Sequence, residues 1–129
     1  MGYRNFTLAI YLPVGNINSI DSIDEFDKSF GFIEKYLKPG KVYLETFRNS
    51  VKVENDKLLL VKNYFQSKGI KTSGGITTSL ASDEAFRSMC FTNEEDKKTL
   101  KDVVAYTANI FDEIILDDFF FTNCKCSSC

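Results

Sequence analysis

The chain has 129 residues, of which 43% are hydrophobic and 26% charged, and its formal net charge is -2. That suffices for one domain with a modest core, and it provides no basic field of the kind that attracts nucleic acid. There is no histidine, so a Ser-His-Asp triad, a Cys-His pair and a His-ligated metal are excluded within this sequence. Tryptophan is also absent while phenylalanine occurs 12 times, so any aromatic platform must use Phe or Tyr. No apolar run approaches the roughly 20 residues that span a bilayer. No basic region followed by a long apolar stretch marks a signal peptide. Neither nucleic acid nor membrane is therefore expected as a partner.

The first predicted strand is Phe6 to Leu12, closed by Pro13 and Gly15. The first helix starts at Ser22, which forms a capping box with Glu25. Ile23, Phe26, Phe30, Ile33 and Leu37 recur at helical spacing and give one apolar stripe, stopped by Pro39-Gly40. The second strand is Val42 to Phe47, and its end carries Glu45, Arg48 and Asn49. A second helix begins near Asn55-Asp56, buries Leu58, Val61, Tyr64 and Phe65, and ends at Gly69, where a left-handed cap belongs. The third strand runs from about Ile70 to Ile76 and ends in Ser73-Gly74-Gly75. Residues 77–91 are the least regular stretch and read as an excursion loop. A third helix opens with Thr92 and Glu95 as a second capping box and buries Leu100, Val103, Val104, Thr107, Ala108 and Phe111. Ile114 to Leu116 is the fourth strand.

Strands and helices that alternate at this spacing imply an α/β fold of parallel βαβ units with right-handed crossovers. The solid apolar runs fit a sheet covered on both faces. Polar and small residues collect after each strand: Asn16 and Asn18, then Glu45 and Arg48, then Ser73 to Gly75, then Asp117 and Asp118. All four points fall on the rim where barrels and open sheets place their chemistry.

Asp117 and Asp118 are the candidate catalytic acids. Neighbours on a strand point to opposite faces, so one can reach the active side while the other caps a loop. A glycosidase needs two carboxylates flanking one bond; the divergent pair cannot supply both, and Asp117 is the favoured one. Glu45 and Arg48 are candidate substrate-binding residues, or else a rim ion pair worth little. Ser73, Gly74 and Gly75 can line a sugar pocket, bind an anion through backbone amides, or form a tight turn. Cys124, Cys126 and Cys129 follow a C-x-C-x-x-C spacing, and with Cys90 they make four candidate thiolate ligands for a structural zinc, with a disulfide or free thiols as alternatives. Phe119 to Phe121 read as packing against the layer above. The ending after Cys129 looks like a cut through something larger.

Phe111-Asp-Glu-Ile-Ile-Leu-Asp-Asp-Phe119 resembles the fourth-strand motif of several (β/α)8-barrel glycoside hydrolases, with Asp117 at the position of the strand-end aspartate. Ser73-Gly74-Gly75 is similar to, but one residue shorter than, the Ser-x-Gly-Gly element of chitinase-like barrels. Where those barrels place alternating acids ending in a catalytic Glu, this chain has Phe-Phe-Phe-Thr. The resemblance implies the first half of a TIM barrel, a carbohydrate substrate, no cofactor in catalysis, and Asp117 in or beside the active site. A half barrel would need its C-terminal half or would self-associate through open sheet edges. Two other readings compete: a small α/β interaction domain stapled by cysteine-bound zinc, and a doubly wound hydrolase or phosphotransferase using Asp117 with magnesium. The last needs phosphate-binding loops, and none is convincing.

Overall fold

The computed structural model describes residues 2–83 and 86–129, with Phe119 described for its backbone alone. The order is β1 (Leu8–Leu12), α1 (Val14–Asn18), α2 (Ile23–Glu34), β2 (Pro39–Arg48), β3 (Val51–Lys52), α3 (Asn55–Ser67), β4 (Lys71–Ile76), α4 (Glu94–Ala108) and β5 (Ile114–Leu116), followed by a 3-10 turn at Asp117–Phe120. The four principal strands lie side by side in the order β1-β2-β4-β5, every pair parallel, and β3 adds an antiparallel ribbon to the end of β2. Among the described residues β1 and β5 are the outer strands.

Three helices link these strands in turn: α2 from β1 to β2, α3 from β2 to β4, and α4 from β4 to β5. Their apolar sides meet one face of the sheet. Val42 and Leu44 of β2 share a core with Phe30 of α2, with Leu58, Val61 and Phe65 of α3, and with Ile110 and Phe111 just after α4. Phe47, Ile76, Met89 and Val103 form a second cluster toward the C-terminal strand ends. Sequential strand order is the arrangement of a barrel, whereas a doubly wound sheet reverses its order at a switch point. The fold is thus α/β with a parallel sheet, consistent with part of a TIM barrel.

The opposite face differs from the expectation that both faces would be covered. Tyr11, Tyr43 and Ser73 are register partners on it, as are Glu45 and Gly75. Tyr11 stacks on Tyr43 with ring centroids 6.4 Å apart, and Ile115 is exposed. Period-2 alternation puts these residues opposite the helix-covered Val42 and Leu44. This face is polar and partly open among the described residues.

Local signals in the sequence act as their chemistry dictates, with informative exceptions. The Ser22 hydroxyl accepts from the Glu25 amide at 3.4 Å and starts α2. Leu58, Val61, Tyr64 and Phe65 are the buried residues of α3. Gly69 has φ +74°, the left-handed conformation that closes a helix. In α2, however, the helix ends at Glu34, and Ile33 and Leu37 are 39% and 42% exposed. Pro39 and Gly40 open β2 instead of merely stopping the helix. The cap of α4 is Asn93, whose side chain accepts from the Asp96 amide at 3.0 Å; Thr92 does not cap, and Ala108 lies on the exposed side. The described residues of 77–91 are irregular apart from the bridge between Ser79 and Ser88.

Candidate functional site

The C-terminal ends of β1, β2 and β4 converge on one carboxylate. Glu45 is fully buried at 0% exposure. Its Oε2 accepts from the Tyr11 hydroxyl at 2.6 Å and from Thr77 Oγ1 at 2.7 Å. Its Oε1 accepts from the Val14 amide at 3.0 Å. Arg48 closes a two-pronged pair, with Nε 2.8 Å from Oε1 and Nη2 2.9 Å from Oε2. Burial pushes the Glu45 carboxyl upward, but Arg48, Thr77, Tyr11 and the Val14 amide together hold it below its ordinary value. Burial and the adjoining Glu45 push the Tyr11 phenol far above its usual range. Pairing with Glu45 raises the Arg48 guanidinium further. Glu45 is accordingly a buried carboxylate with both oxygens occupied, and it anchors an Arg48 that stays about a third exposed at the rim.

Backbone geometry aims these groups. α1 places the Val14 amide over Glu45 by turning the chain immediately after β1. Arg48 is the last residue of β2 and pairs with Val51 of β3 across a two-residue turn. Asn49 and Ser50 have φ of +49° and +62°, the left-handed pair that a tight hairpin of this length requires. Gly75 sits under Tyr11: a Cβ there would lie 2.7 Å from the Tyr11 hydroxyl. Gly74 faces the other way, where a Cβ would meet Thr107 Cγ2 at 2.4 Å. Thr107 in turn lies 2.7 Å from the Thr46 hydroxyl.

Asp117 joins this network from the turn after β5. Its Oδ2 is 3.2 Å from Arg48 Nη2 and 3.4 Å from Thr77 Oγ1. Thr77 has a single hydroxyl proton, and Glu45 is the nearer acceptor. Arg48 is therefore the principal donor to Asp117. The Asp117 side chain remains 37% exposed. Asp117 and Asp118 belong to the 3-10 turn, not to the strand, so strand alternation does not set their directions. Asp118 has φ +56°, a conformation that Asp tolerates better than most residues.

Ser73, Gly74 and Gly75 lie within β4 and not in a turn beyond it. The Gly74 amide donates to the Glu113 carbonyl at 2.9 Å, and the Ser73 hydroxyl donates to the Glu113 carboxylate at 3.1 Å. With the Gly74 amide in the sheet ladder, this stretch is not a loop of free amides for an anion. Lys41 also pairs with Glu113 and draws its carboxyl below the ordinary range. The structure thus brings Glu45, Arg48 and Asp117 into one network and places Ser73 in a separate polar group lower on the sheet. Tyr11 and Thr77 belong to the network but were not singled out in the sequence. Their signal was position: each carries a hydroxyl at the end of a strand.

A second polar cluster lies beyond the same rim. Cys90 is buried, Cys124 half-buried, and Cys126 and Cys129 are exposed. All four are free, and their Sγ atoms lie within 4.8 Å of one another, close enough to hold a metal ion. The Thr92 hydroxyl, free of any capping duty, is 3.2 Å from Cys90 Sγ and 3.5 Å from Cys126 Sγ. With the Ser128 amide it holds the Cys126 thiol down to about 6. The Thr92 hydroxyl also lowers Cys129, but the thiols of Cys126 and Cys90 outweigh it and push Cys129 up to about 12. Beside the cluster, Phe120 stacks on Phe91 at 4.7 Å and Phe121 on Phe86 at 6.3 Å. Both rings stay over 40% exposed, so they are not buried under another layer as expected. The Phe119 side chain lies outside the described residues.

Among the described residues, no helix is long and apolar enough to cross a membrane. No solved structure matches this chain. It is 25% identical to an uncharacterised protein of Saccharolobus solfataricus over 130 aligned positions, which cover 94% of this chain and 21% of that protein. The chain therefore spans about a fifth of the length of that relative. A family model described as "Probable glycosyl hydrolase, catalytic domain" matches residues 1–129. The parallel strands, the rim of strand-end carboxylates and this match across the whole sequence agree: the chain belongs to the family of probable glycosyl hydrolase catalytic domains.

Proposed function

We propose that this chain supplies the first four barrel strands of an enzyme that hydrolyses glycosidic bonds, with Asp117 as the carboxylate that meets the sugar. The observation that carries the reading is the contrast between the two rim acids. Glu45 spends both oxygens on protein donors inside the fold, whereas Asp117 is anchored through Oδ2 and keeps more than a third of its side chain exposed. Glu45 and Arg48 position; Asp117 is the one aimed outward.

The charge balance suits the chemistry. Within the network, Glu45 and Asp117 against Arg48 leave a formal charge of (-2) + (+1) = -1. Glycoside hydrolysis passes through a transition state with oxocarbenium character, and a fixed negative charge beside it is stabilising. Asp117 then acts as nucleophile, base or electrostatic partner. The second catalytic carboxylate comes from a strand beyond these four, because Glu45 has no free lone pair to give to substrate. Asp118 follows Asp117 in the same turn, and the absence of a side chain at Gly75 leaves room for the Tyr11 hydroxyl that holds Glu45. In this reading Ser73 and Gly74 support the sheet and do not touch sugar. The remaining barrel strands would cover the open edges of β1 and β5, and the four strands alone would be inactive or self-associating.

The test is turnover of a panel of aryl glycosides and oligosaccharides by the full-length protein and its Asp117→Asn variant. Loss of activity by roughly 10²–10⁴-fold is expected, with an unchanged melting temperature. Near-normal turnover by the variant would remove Asp117 from catalysis. No hydrolysis of any glycoside by the unaltered protein would overturn the reading as a whole.

A further inference from the structure

The four cysteines come from two distant stretches of chain. Cys90 closes the excursion after β4, just ahead of α4; Cys124, Cys126 and Cys129 follow the 3-10 turn after β5. Three Sγ–Sγ separations are 3.4 Å (Cys126–Cys129), 3.7 Å (Cys90–Cys126) and 3.7 Å (Cys90–Cys129). Four sulfurs around zinc at about 2.3 Å form a tetrahedron whose edges are about 3.8 Å. The observed spacings match those edges. They are too close for thiolates serving the separate irons of an iron–sulfur cluster.

The surroundings of the sulfurs point the same way. The Thr92 hydroxyl lies 3.2 Å from Cys90 Sγ, 3.5 Å from Cys126 Sγ and 3.7 Å from Cys129 Sγ, a hydrogen-bonding group set beside the ligands of the kind that orients them around a metal. The Cys129 amide also returns to the Cys126 carbonyl at 3.1 Å, folding the tail into a tight knuckle. Hydrogen bonds latch the two stretches together independently of any ion. Asn123 Oδ1 accepts from the Ser88 hydroxyl at 2.7 Å and from its amide at 3.0 Å, and the Thr122 hydroxyl donates to the Met89 carbonyl at 2.7 Å. Asp96 accepts from the Cys90 amide at 2.7 Å and ties the site to the first turn of α4.

We propose that Cys90, Cys124, Cys126 and Cys129 bind one zinc ion as a structural staple between the excursion after β4 and the segment after β5. Binding takes all four sulfurs as thiolates, releases the protons that the thiols still carry, and leaves a formal charge of (+2) + (-4) = -2 on the tetrathiolate centre. Lys125, between two of the ligands in sequence, adds a positive charge to the segment. All four positions are filled by protein, so the ion has no open site for water or substrate, and its role is structural. Its mechanical effect is on the chain that begins at Asp117: the turn carrying the rim aspartate is held at β5 on one side and by the ion on the other.

The test uses the full-length protein, purified without added metal and with a tag free of histidine. Zinc is measured by mass spectrometry in the unaltered protein and in the Cys126→Ser/Cys129→Ser double variant. A loss of one equivalent per chain is expected. Equal zinc content in the two would overturn the proposal. A second measurement avoids the variant altogether: the native protein is alkylated with and without a strong chelator, and labelling is mapped by peptide. Cys126 and Cys129 are exposed, yet they should resist alkylation until the chelator is added. Immediate labelling without chelator, or recovery of any of the four in a disulfide, would overturn the staple.

Discussion

The carboxylate network at the strand ends and the sulfur cluster beyond it solve opposite problems. Glu45 is buried, and every charge it brings is met by a donor of the chain: a guanidinium, two hydroxyls and an amide. The sulfur cluster collects four groups of one kind, two of them exposed, whose side-chain partners among the described residues are one another and Thr92. The first is complete in itself and rests on strands held by the sheet. The second joins two loops. The difference separates what shapes the rim from what tethers it: removing a member of the first should disturb the sheet, and removing a member of the second should disturb only the segments it links.

The largest effect should come from Glu45→Ala. Arg48 keeps Asp117, but the Val14 amide and the Tyr11 and Thr77 hydroxyls all lose their buried acceptor, and each such group left unsatisfied costs about 1–3 kcal/mol. Thermal unfolding and hydrogen exchange should show amides of β1 and β2 losing protection, while Cys129→Ser leaves them unchanged. Equal loss in both variants would erase the distinction. Gly75→Ala should follow. The added methyl meets the Tyr11 ring and hydroxyl, and overpacking of this kind costs about 1–3 kcal/mol. The Tyr11–Glu45 bond should weaken with it; an unaltered melting temperature would mean that the ring moves freely. The smallest effect is on acid stability. Glu45 is held below its ordinary value of 4.5 when folded, so as pH falls the unfolded chain binds the proton first. The stability from Glu45 is present above about pH 4.5 and is lost as pH falls through the folded value. Glu45→Gln should flatten that limb relative to the unaltered protein, whatever its absolute stability. An unchanged slope would show that exposed acids such as Asp27 and Glu113, whose carboxyls are also drawn down, dominate the acid limb.

Much of the scaffold was legible because its signals are local. Ser22 caps α2, the stripe from Leu58 to Phe65 is the buried side of α3, and Gly69 takes the left-handed conformation. Where the reading failed, a nearby competitor won. Asn93 outcompetes Thr92 as a cap because a side-chain amide one residue onward reaches the same first turn, and Thr92 turns to the sulfurs instead. Solid apolar runs suggested two covered faces, but Tyr11 and Tyr43 count as apolar in a pattern while presenting hydroxyls to a polar surface. Glu45, Arg48 and Asp117 stood out as charges at strand ends; Tyr11 and Thr77 did not, since nothing local distinguishes a strand-end hydroxyl from any other. The cysteine spacing suggested a common partner for the tail, but only the chain path around α4 brings Cys90 to it.

The hairpin at Asn49 and Ser50 has a consequence for recognising related sites. The aim of Arg48 depends on the handedness of two peptide units, which many side chains can satisfy and β-branched ones resist. A relative could keep every acid and base of this rim and still point the guanidinium elsewhere if valine or isoleucine stood at the turn. Another could carry Asn-Gly there and present the same rim. A diagnostic signature for this arrangement should therefore include the two turn residues beside Glu45 and Arg48, because chirality in the backbone, as much as charge in the side chains, encodes where Asp117 finds its partner.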